Sequence, residues 1–511
     1  MKLRILLAIL TLALSGCAQS AGGTWGTSHQ LRIGIVSDPS SLNPLFVTSQ
    51  SSVDMGQLYT ETLIGLSPEN KLVPLLVTEI PAQSNGGISP DGRTITYRLR
   101  RDSRFADGKP LTSADVAFTY HAILDPRNPV TAAAPYREIV SLQTPDPYTV
   151  VVRLKHPWAA AVTELFAESD YAFGILPAHA FRSTDLSRSA WNQKPFGSGP
   201  FQVQEWRHGD SIIFVPNPYA RRKPHLQRLM VKILPDANTL LIALRTHAID
   251  VADLTEKQVA RVRTMRGIRV VETPQNRTDF IEFQTTRPPT DNAQVRRALI
   301  EAIDRAAIAR TVYLNLHPPA TTEIPPVFAA HDRSIQALPY DPAKARTDLA
   351  AAGWKPGTPI DFAYIGTSEE ARLLATQVQA NLAAAGVSLQ LHSYSSTLYY
   401  APSTAGGIER GGRFNLAYSD WFGGADPSQS ETYRCADRAP AGPNTSRWCN
   451  AAYDAMYRAR DFSGMQRAVH DAAVADFLVY QSLYDGVNPA VQHYHPNMLF
   501  EYGNSEDWDV R

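Results

Sequence analysis

The sequence predicts an α/β protein with more than one domain. Residues 94–100 and 148–155 alternate apolar and polar side chains, which is typical of half-buried strands. Residues 360–391 carry a strand-like run, a segment with helical spacing and a second alternating run, which together indicate a βαβ unit. The chain has 511 residues, of which 44% are hydrophobic, and is therefore long enough to form two or three packed domains.

Residues 1–16 have the order of an export signal: a positive start, a short apolar run and small residues before Cys17. The apolar run is too short to span a bilayer as a helix. Residues 17–29 contain many small and polar residues and predict a flexible tether. We therefore expect an exported protein, periplasmic or at the cell surface, that is anchored to a membrane through lipid on Cys17.

Capping signals mark several helices. Residues 112–115 have the form of a capping box, and the helix that follows ends before Pro126. Residues 292–309 carry apolar side chains at helical spacing and predict a single helix. Residues 341–342 supply a capping aspartate and a first-turn proline, which predicts another helix that ends near Gly353.

The βαβ unit is predicted in three parts. Residues 360–365 form its first strand, residues 368–385 its helix and residues 387–391 its second strand. Gly386 lies between the helix and the second strand, where a glycine can cap a helix. The apolar residues at helical spacing are Leu373, Leu374, Val378 and Leu382.

The candidate binding edge follows a short predicted strand, residues 414–418, which runs directly into a predicted turn of aromatic and acidic residues, 419–424. In open α/β sheets, ligands bind beyond the carboxyl ends of strands. Trp421 and Phe422 fit a ligand contact and a place in the core equally well. Asp420 favours the ligand contact, because a carboxylate beside two aromatic rings is costly to bury without a partner, either a ligand amine or a nearby arginine.

The composition excludes nucleic acid as a partner. The chain has 49 acidic and 49 basic residues, a net charge of zero, and no basic run. Besides Cys17, only Cys435 and Cys449 are present, and export favours a disulfide between them. The alternative is a metal pair, but a spacing of Cys-x13-Cys matches no zinc motif.

The sequence lacks the common catalytic motifs: a Gly-x-Ser-x-Gly elbow, a His-Glu-x-x-His pair and a phosphate loop. Residues 196–200 resemble a nucleophile turn, but Pro200 fits a plain tight turn better. Residues 493–495 hold two histidines without a third ligand nearby, which favours a strand over a metal site. We therefore expect no enzymatic activity, cofactor or metal. The alternative is an exported hydrolase with Asp420 or Asp426 as a catalytic carboxylate.

Five segments, in order along the chain, resemble the family 5 extracellular solute-binding proteins, which are the peptide-binding and nickel-binding receptors of ABC importers. The segments are residues 91–116, 196–219, 243–250, 288–308 and 340–354. This resemblance implies a periplasmic binding protein-like fold of class II (cluster C) with three α/β domains. It also implies that domains I and III close by a hinge around the ligand in the cleft between them. The loop between the two cysteines resembles a subgroup of the family with a cysteine pair after an Asp-Pro.

The resemblance also implies boundaries and a site. Domain II comprises residues 66–189 and domain III residues 279–485, and domain I comprises residues 30–65, 190–278 and 486–511. The expected partners are a short peptide or other small solute, an ABC permease with its ATPase, and the membrane that holds the lipid anchor; we expect a monomer. The candidate ligand-binding residues are Asp420, Trp421, Phe422, Gly423, Asn43, Tyr59 and Tyr484.

One position in the sequence leaves the class of ligand undecided. In the peptide receptors that this chain resembles, an aspartate four residues before the proline of an Asp-Pro or Glu-Pro pair holds the peptide's α-ammonium. Here Pro427 is the proline, and the fourth residue before it is Gly423. Either Asp420 substitutes, or the ligand has no free amine. A nickel chelate, haem, glutathione or an oligosaccharide is the alternative to a peptide.

Overall fold

The computed structural model describes residues 28–46, 50–130, 133–169, 173–428 and 433–511. The predicted export signal, Cys17 and most of the predicted tether lie outside the described residues. Within those ranges, no helix is both long enough and apolar enough to cross a bilayer.

Seventeen strands are present in the described ranges. They are β1 (Gln30–Ile35), β2 (Ile64–Leu66), β3 (Leu72–Pro74), β4 (Thr94–Arg98), β5 (Ile139–Asp146), β6 (Thr149–Leu154), β7 (Phe201–Arg207), β8 (Ser211–Pro216), β9 (Arg228–Ile233), β10 (Val251–Asp253), β11 (Arg269–Phe283), β12 (Ile360–Ile365), β13 (Leu389–Tyr394), β14 (Leu416–Phe422), β15 (Ala475–Val487), β16 (Val491–Gln492) and β17 (Asp509–Val510).

The α-helices of the same ranges vary from a single turn to 16 residues. They are α1 (Gln50–Tyr59), α2 (Ser113–Leu124), α3 (Ala161–Glu164), α4 (Ala237–Arg245), α5 (Glu256–Val262), α6 (Ala293–Glu301), α7 (Arg305–Thr311), α8 (Pro342–Ala351), α9 (Glu369–Ala384), α10 (Ser396–Tyr399), α11 (Ala451–Ala459) and α12 (Phe462–Asp471).

One mixed sheet of ten strands forms the frame, in the order β13-β12-β14-β11-β15-β10-β1-β9-β8-β7. Two of its inner strands, β11 and β15, are long and antiparallel, and they pair from Arg269 with Val487 to Glu282 with Ala475. We call residues 30–268 and 486–511 the N-lobe and residues 284–474 the C-lobe. Since β11 and β15 run from one lobe into the other, they are the mechanical connection between the two.

Each lobe has its own apolar core. The largest cluster of buried side chains fills the N-lobe, including the small sheet β4-β6-β5 and the C-terminal segment around Trp508. A second cluster fills the C-lobe, where α6 and α9 pack on β12–β14. Separate cores allow the lobes to move as units about a few linking strands. The boundaries of the three expected domains stay a prediction.

The local predictions for regular elements are largely confirmed. Ile95 and Tyr97 are buried on β4, and the capping box of α2 forms as expected. The βαβ unit is present, with β12 and β13 parallel and paired from Ile360 with Leu389. Asp341 caps α8 by accepting a hydrogen bond from the backbone N–H of Lys344. Cys435 and Cys449 form the expected disulfide.

Four expectations were wrong. Residues 493–495 are not in a strand, because β16 ends at Gln492 and His493 has a φ of 59°, in the left-handed region. Residues 292–309 form two helices, because Asp304 leaves the helix and caps α7 through the N–H of Ala307. Leu373 points to solvent with 43% of its surface exposed, so it does not share the buried face of α9. Residues 419–422 are not a turn, because β14 continues beside β11 as far as Phe422.

Candidate functional site

The predicted binding edge is the last part of β14, where it pairs with the connecting strand β11. Asp420 lies opposite Asp279, and Phe422 lies opposite Arg277. A guanidinium nitrogen of Arg277 is 2.8 Å from a carboxylate oxygen of Asp420, and the two side chains keep 42% and 31% of their surface exposed. Of the two partners considered for Asp420, the structure provides the arginine.

A buried hydrogen-bond network lies next to this ion pair and is centred on the carboxylate of Asp279. One carboxylate oxygen accepts hydrogen bonds from the hydroxyls of Tyr313 and Tyr418, at 3.0 and 2.8 Å, and from the amide of Gln481 at 2.6 Å. Tyr418 also contacts Glu370 at the start of α9. Burial raises the pKa of Asp279 and raises that of Glu370 to about 7. These side chains are hydrogen-bonded to one another and support the binding edge from its buried side.

The two aromatic residues of the edge face different surroundings. Trp421 packs against an apolar cluster inside the C-lobe, and its indole nitrogen is buried without a hydrogen-bond partner. Phe422 packs against Val53 of α1 and residues 498–500, which belong to the N-lobe. Phe422 is therefore a contact between the lobes.

Gly423 and Gly424 are held by a single residue of the connecting strand. The N–H of Gly423 donates to the carbonyl of Asn276 at 2.9 Å, and the side-chain amide of Asn276 donates to the carbonyl of Gly424 at 2.7 Å. The N–H of Asn276 in turn donates to the carbonyl of Met498, at 3.2 Å. The turn after β14 is thus fixed to β11 and to the C-terminal segment of the N-lobe.

Three of the candidate ligand residues lie in the protein core and not at the binding edge. Asn43 is fully buried and bonds to Asn192 and to the N–H of Leu45. Tyr59 is buried and its hydroxyl donates to the carbonyl of Leu42. Tyr484 is 3% exposed and its hydroxyl donates to the carbonyl of Leu316. The structure gives no support for ligand contacts by these three residues, because their polar atoms are already bound within the protein.

The structure brings together a second acidic group that the sequence analysis missed. Asp253 at the end of β10, Asp485 on β15 and Glu501 each place one carboxylate oxygen within 4.8 Å of the other two. Asp54 of α1 adjoins them, since it accepts a hydrogen bond from the N–H of Glu501 at 3.1 Å. We call these four residues the N-lobe carboxylates, since three of them lie in the N-lobe and Asp485 of β15 directly precedes residue 486, where the second part of the N-lobe begins. They come from distant parts of the chain, so no sequence motif predicts that they lie together.

The N-lobe carboxylates have perturbed acidities. Burial raises the pKa of Asp54 from 3.8 to about 8. Burial and the neighbouring carboxylates raise the pKa values of Asp485 and Glu501 well above their usual range. With a pKa of about 8, the carboxyl group of Asp54 holds a proton at neutral pH unless a cation replaces it.

A groove of about 360 Å³ opens where the lobes meet. Its lining includes residues 68–70, 495–496 and 498 of the N-lobe, residues 271–274 of β11 and Val327 of the C-lobe. Elsewhere at this junction, Lys257 of α5 and Glu369 of α9 form an ion pair at 2.7 Å that joins the lobes. Clefts of a few hundred Å³ between domains are common sites for small ligands.

Comparison with known proteins agrees with this architecture. The family model described as "Bacterial extracellular solute-binding proteins, family 5 Middle" matches residues 71–442. The chain therefore belongs to the family 5 extracellular solute-binding proteins, and its fold is that of the class II periplasmic binding proteins.

Two relatives and one solved structure illustrate the similarity. The chain is 28% identical over 416 residues to di/tripeptide-binding protein 2 of Pseudomonas aeruginosa (strain UCBPP-PA14), which covers 75% of this chain and 76% of that protein. It is 25% identical over 501 residues to the dipeptide-binding protein of Escherichia coli (strain K12), at 89% and 90% coverage. NikZ from Campylobacter jejuni in complex with Ni(L-His) has the same fold, with a TM-score of 0.75 at 19% identity, over 95% of this chain and 100% of that chain.

Proposed function

We propose that this protein captures a peptide or peptide-like solute between its lobes and delivers it, chemically unchanged, to an ABC permease driven by its ATPase. The observation that carries the proposal is the half-exposed ion pair of Asp420 and Arg277 at the carboxyl end of β14. It offers a hydrogen-bond acceptor and a donor side by side, which suits the alternating carbonyl and N–H groups of a peptide backbone. The named ligands of the two relatives support the same class of solute.

The proposed motion is a hinge closure about β11 and β15. Both strands run from one lobe into the other, and Asn276 of β11 holds the turn that follows Phe422. A solute that contacts both lobes binds the closed state better than the open one and so shifts the equilibrium toward closure. A permease can then distinguish the loaded receptor from the empty one.

The location of the protein is part of the proposal. Family membership supports an extracytoplasmic protein, and the sequence before Cys17 supports a lipid anchor there. Expression of the full chain in a bacterium that processes lipoproteins should place it in the membrane fraction. A Cys17→Ser variant should move to the soluble fraction, and an unchanged distribution would contradict the lipid anchor.

The solute class is tested by titration calorimetry of the purified mature chain against pools of di- to pentapeptides. We expect binding to at least one pool, and we expect Asp420→Asn to weaken it because Arg277 then lacks its partner. Asp471→Asn is the matched control, since Asp471 has an exposed carboxylate on α12, 75% accessible to solvent.

Two results would contradict the proposal. The first is no binding to any peptide pool together with tight binding of a nickel–histidine complex, haem, glutathione or an oligosaccharide. The second is turnover of a peptide or glycoside that Asp420→Asn or Asp426→Asn abolishes, which would make the protein a hydrolase.

A further inference from the structure

The two lobes are joined by side-chain contacts as well as by the strands β11 and β15. Helix α5 of the N-lobe begins with Glu256 and Lys257, and each of these residues contacts a different part of the C-lobe. Lys257 forms an ion pair at 2.7 Å with Glu369, the first residue of α9. A carboxylate oxygen of Glu256 lies 3.7 Å from the ring of His317, which follows α7. We call these four residues the α5 latch.

The ring of His317 is held in a fixed orientation by the C-lobe and β15. The backbone N–H of Ser482 on β15 donates to its Nδ1 at 3.1 Å, so the ring proton is on Nε2. The rings of Tyr313 and Tyr484 each pack against it with a centroid distance of 5.8 Å. Nε2 is buried without a hydrogen-bond partner. The carboxylate of Glu256 is therefore just beyond hydrogen-bond distance of a buried donor that needs an acceptor.

The charges of the latch favour contact between the lobes. The ion pair with Lys257 lowers the pKa of Glu369, and the nearby ring of His317 lowers the pKa of Glu256. Both carboxylates are thus stabilised in their charged form by a residue of the other lobe. Because the side chains of Lys257 and Glu369 are exposed, salt should weaken their attraction.

The latch adjoins the candidate binding edge. Glu370, the second residue of α9, contacts the hydroxyl of Tyr418 on β14. Arg277, which pairs with Asp420, also lowers the pKa of Glu256 through its positive charge. A solute at this edge therefore binds close to the contacts that hold the lobes together.

We propose that the α5 latch stabilises the arrangement in which the lobes are in contact, so that the empty protein closes more often than its hinge strands alone would allow. A contact that forms in only one of two arrangements shifts the equilibrium toward that arrangement. A solute that needs both lobes then binds more tightly, because less of its binding free energy is used to bring them together. The inference rests on the proposed hinge closure and adds the residues that set its equilibrium.

The main test reverses one charge of the latch and then restores the pair with its charges exchanged. Lys257→Glu places two acidic side chains together, and Lys257→Glu combined with Glu369→Lys restores an ion pair. Small-angle X-ray scattering of the empty protein at low salt measures how far the lobes separate. We expect a larger radius of gyration for Lys257→Glu and a return toward the original value for the double variant. At about 1 M sodium chloride the difference should shrink, because salt screens exposed charges.

Peptide affinity is the second readout, measured by calorimetry with the peptide pool that binds the unchanged protein. Lys257→Glu should weaken binding about 2- to 30-fold, since the loss of an exposed ion pair adds to a like-charge repulsion of similar size. The double variant should recover most of this affinity. The recovery is expected only if the charges act across the junction, because a change in the packing of α5 would remain in the double variant.

A matched control and a second variant complete the design. Arg98→Glu breaks the similarly exposed pair of Arg98 and Glu79, whose members both lie in the N-lobe, so it should change neither readout. Glu256→Ala removes the other half of the latch and leaves Lys257 in place. Because Glu256 is partly exposed, this variant should fold, and it should also raise the radius of gyration and weaken binding. Circular dichroism checks that every variant is folded.

Three results would overturn the inference. The first is an unchanged radius of gyration in both Lys257→Glu and Glu256→Ala. The second is tighter peptide binding by either variant, because the contacts would then belong to the open arrangement. The third is a double variant that stays as expanded as Lys257→Glu. If no peptide binds the unchanged protein, the proposed function fails, while the scattering of the empty protein still decides the role of the latch.

Discussion

Asp250 is predicted to contribute more to stability than any surface ion pair of this protein. Its buried carboxylate accepts from the N–H of Arg32 at 3.0 Å, from two guanidinium nitrogens of the same residue at 2.8 Å each, and from the amide of Asn488 at 2.9 Å. The backbone N–H of Asn488 also donates to the carbonyl of Asp250. Asp250 therefore joins β1, the segment before β10 and the segment after β15.

The expected cost of Asp250→Ala follows from these contacts. Removing one partner of a buried pair costs about 3–5 kcal/mol, because the other charge is left uncompensated. The lower end applies here, since the Arg32 side chain keeps 26% of its surface exposed and regains some hydration. The matched control is Glu79→Ala, which breaks a pair with Arg98 at 3.1 Å whose members are 45% and 46% exposed. That change should cost about 0–1 kcal/mol.

Urea unfolding followed by tryptophan fluorescence measures both variants against the unchanged protein. We expect the midpoint of Asp250→Ala to fall clearly below that of Glu79→Ala, with circular dichroism showing that both are folded in buffer. Equal midpoints for the two variants would refute the claim that burial and the number of contacts determine how much an ion pair contributes to stability.

Three further predictions concern pH, the disulfide and one helix. The pKa of Asp54 rises from 3.8 in the unfolded chain to about 8, so its proton stabilises the fold at low pH and this contribution is lost as the pH rises through about 8. The melting temperature of the empty protein should therefore fall between pH 5 and pH 8, and Asp54→Asn should flatten the fall; an unchanged slope would contradict this. Replacing Cys435 and Cys449, which are 14 residues apart, by serine should lower the free energy of unfolding in urea by about 3 kcal/mol, because the unfolded chain gains the freedom of an open loop. An unchanged free energy of unfolding would show that the disulfide does not stabilise the fold. Leu374→Ala should cost about 2–5 kcal/mol and Leu373→Ala less than about 0.5 kcal/mol, since the first is fully buried and the second 43% exposed; similar costs would refute the assigned helix face.

Much of the fold could be predicted because its signals are local. The alternation on β4, the capping box of α2 and the aspartate-proline start of α8 each act within a few residues, and the structure follows them. The break between α6 and α7 is also local, but Asp304 competes with a regular apolar spacing on both sides. Its side chain prefers to cap α7 over continuing one long helix.

The candidate site was harder to predict from the sequence than the fold, because its geometry depends on pairing between distant strands. Asp420 was found from its aromatic neighbours, but its partner Arg277 lies on another strand, 143 positions earlier. The extension of β14 to Phe422 depends on the register with β11, which no local pattern reveals. The N-lobe carboxylates come from four separate segments and converge only when the sheet and the C-terminal segment are assembled.

Native mass spectrometry after incubation with a tripeptide library tests most directly whether the lobes enclose a solute without changing it. The account predicts a complex of one protein and one peptide, and gentle unfolding should release that peptide with its mass intact. A library left unbound, or peptides recovered as shorter fragments, would contradict the account.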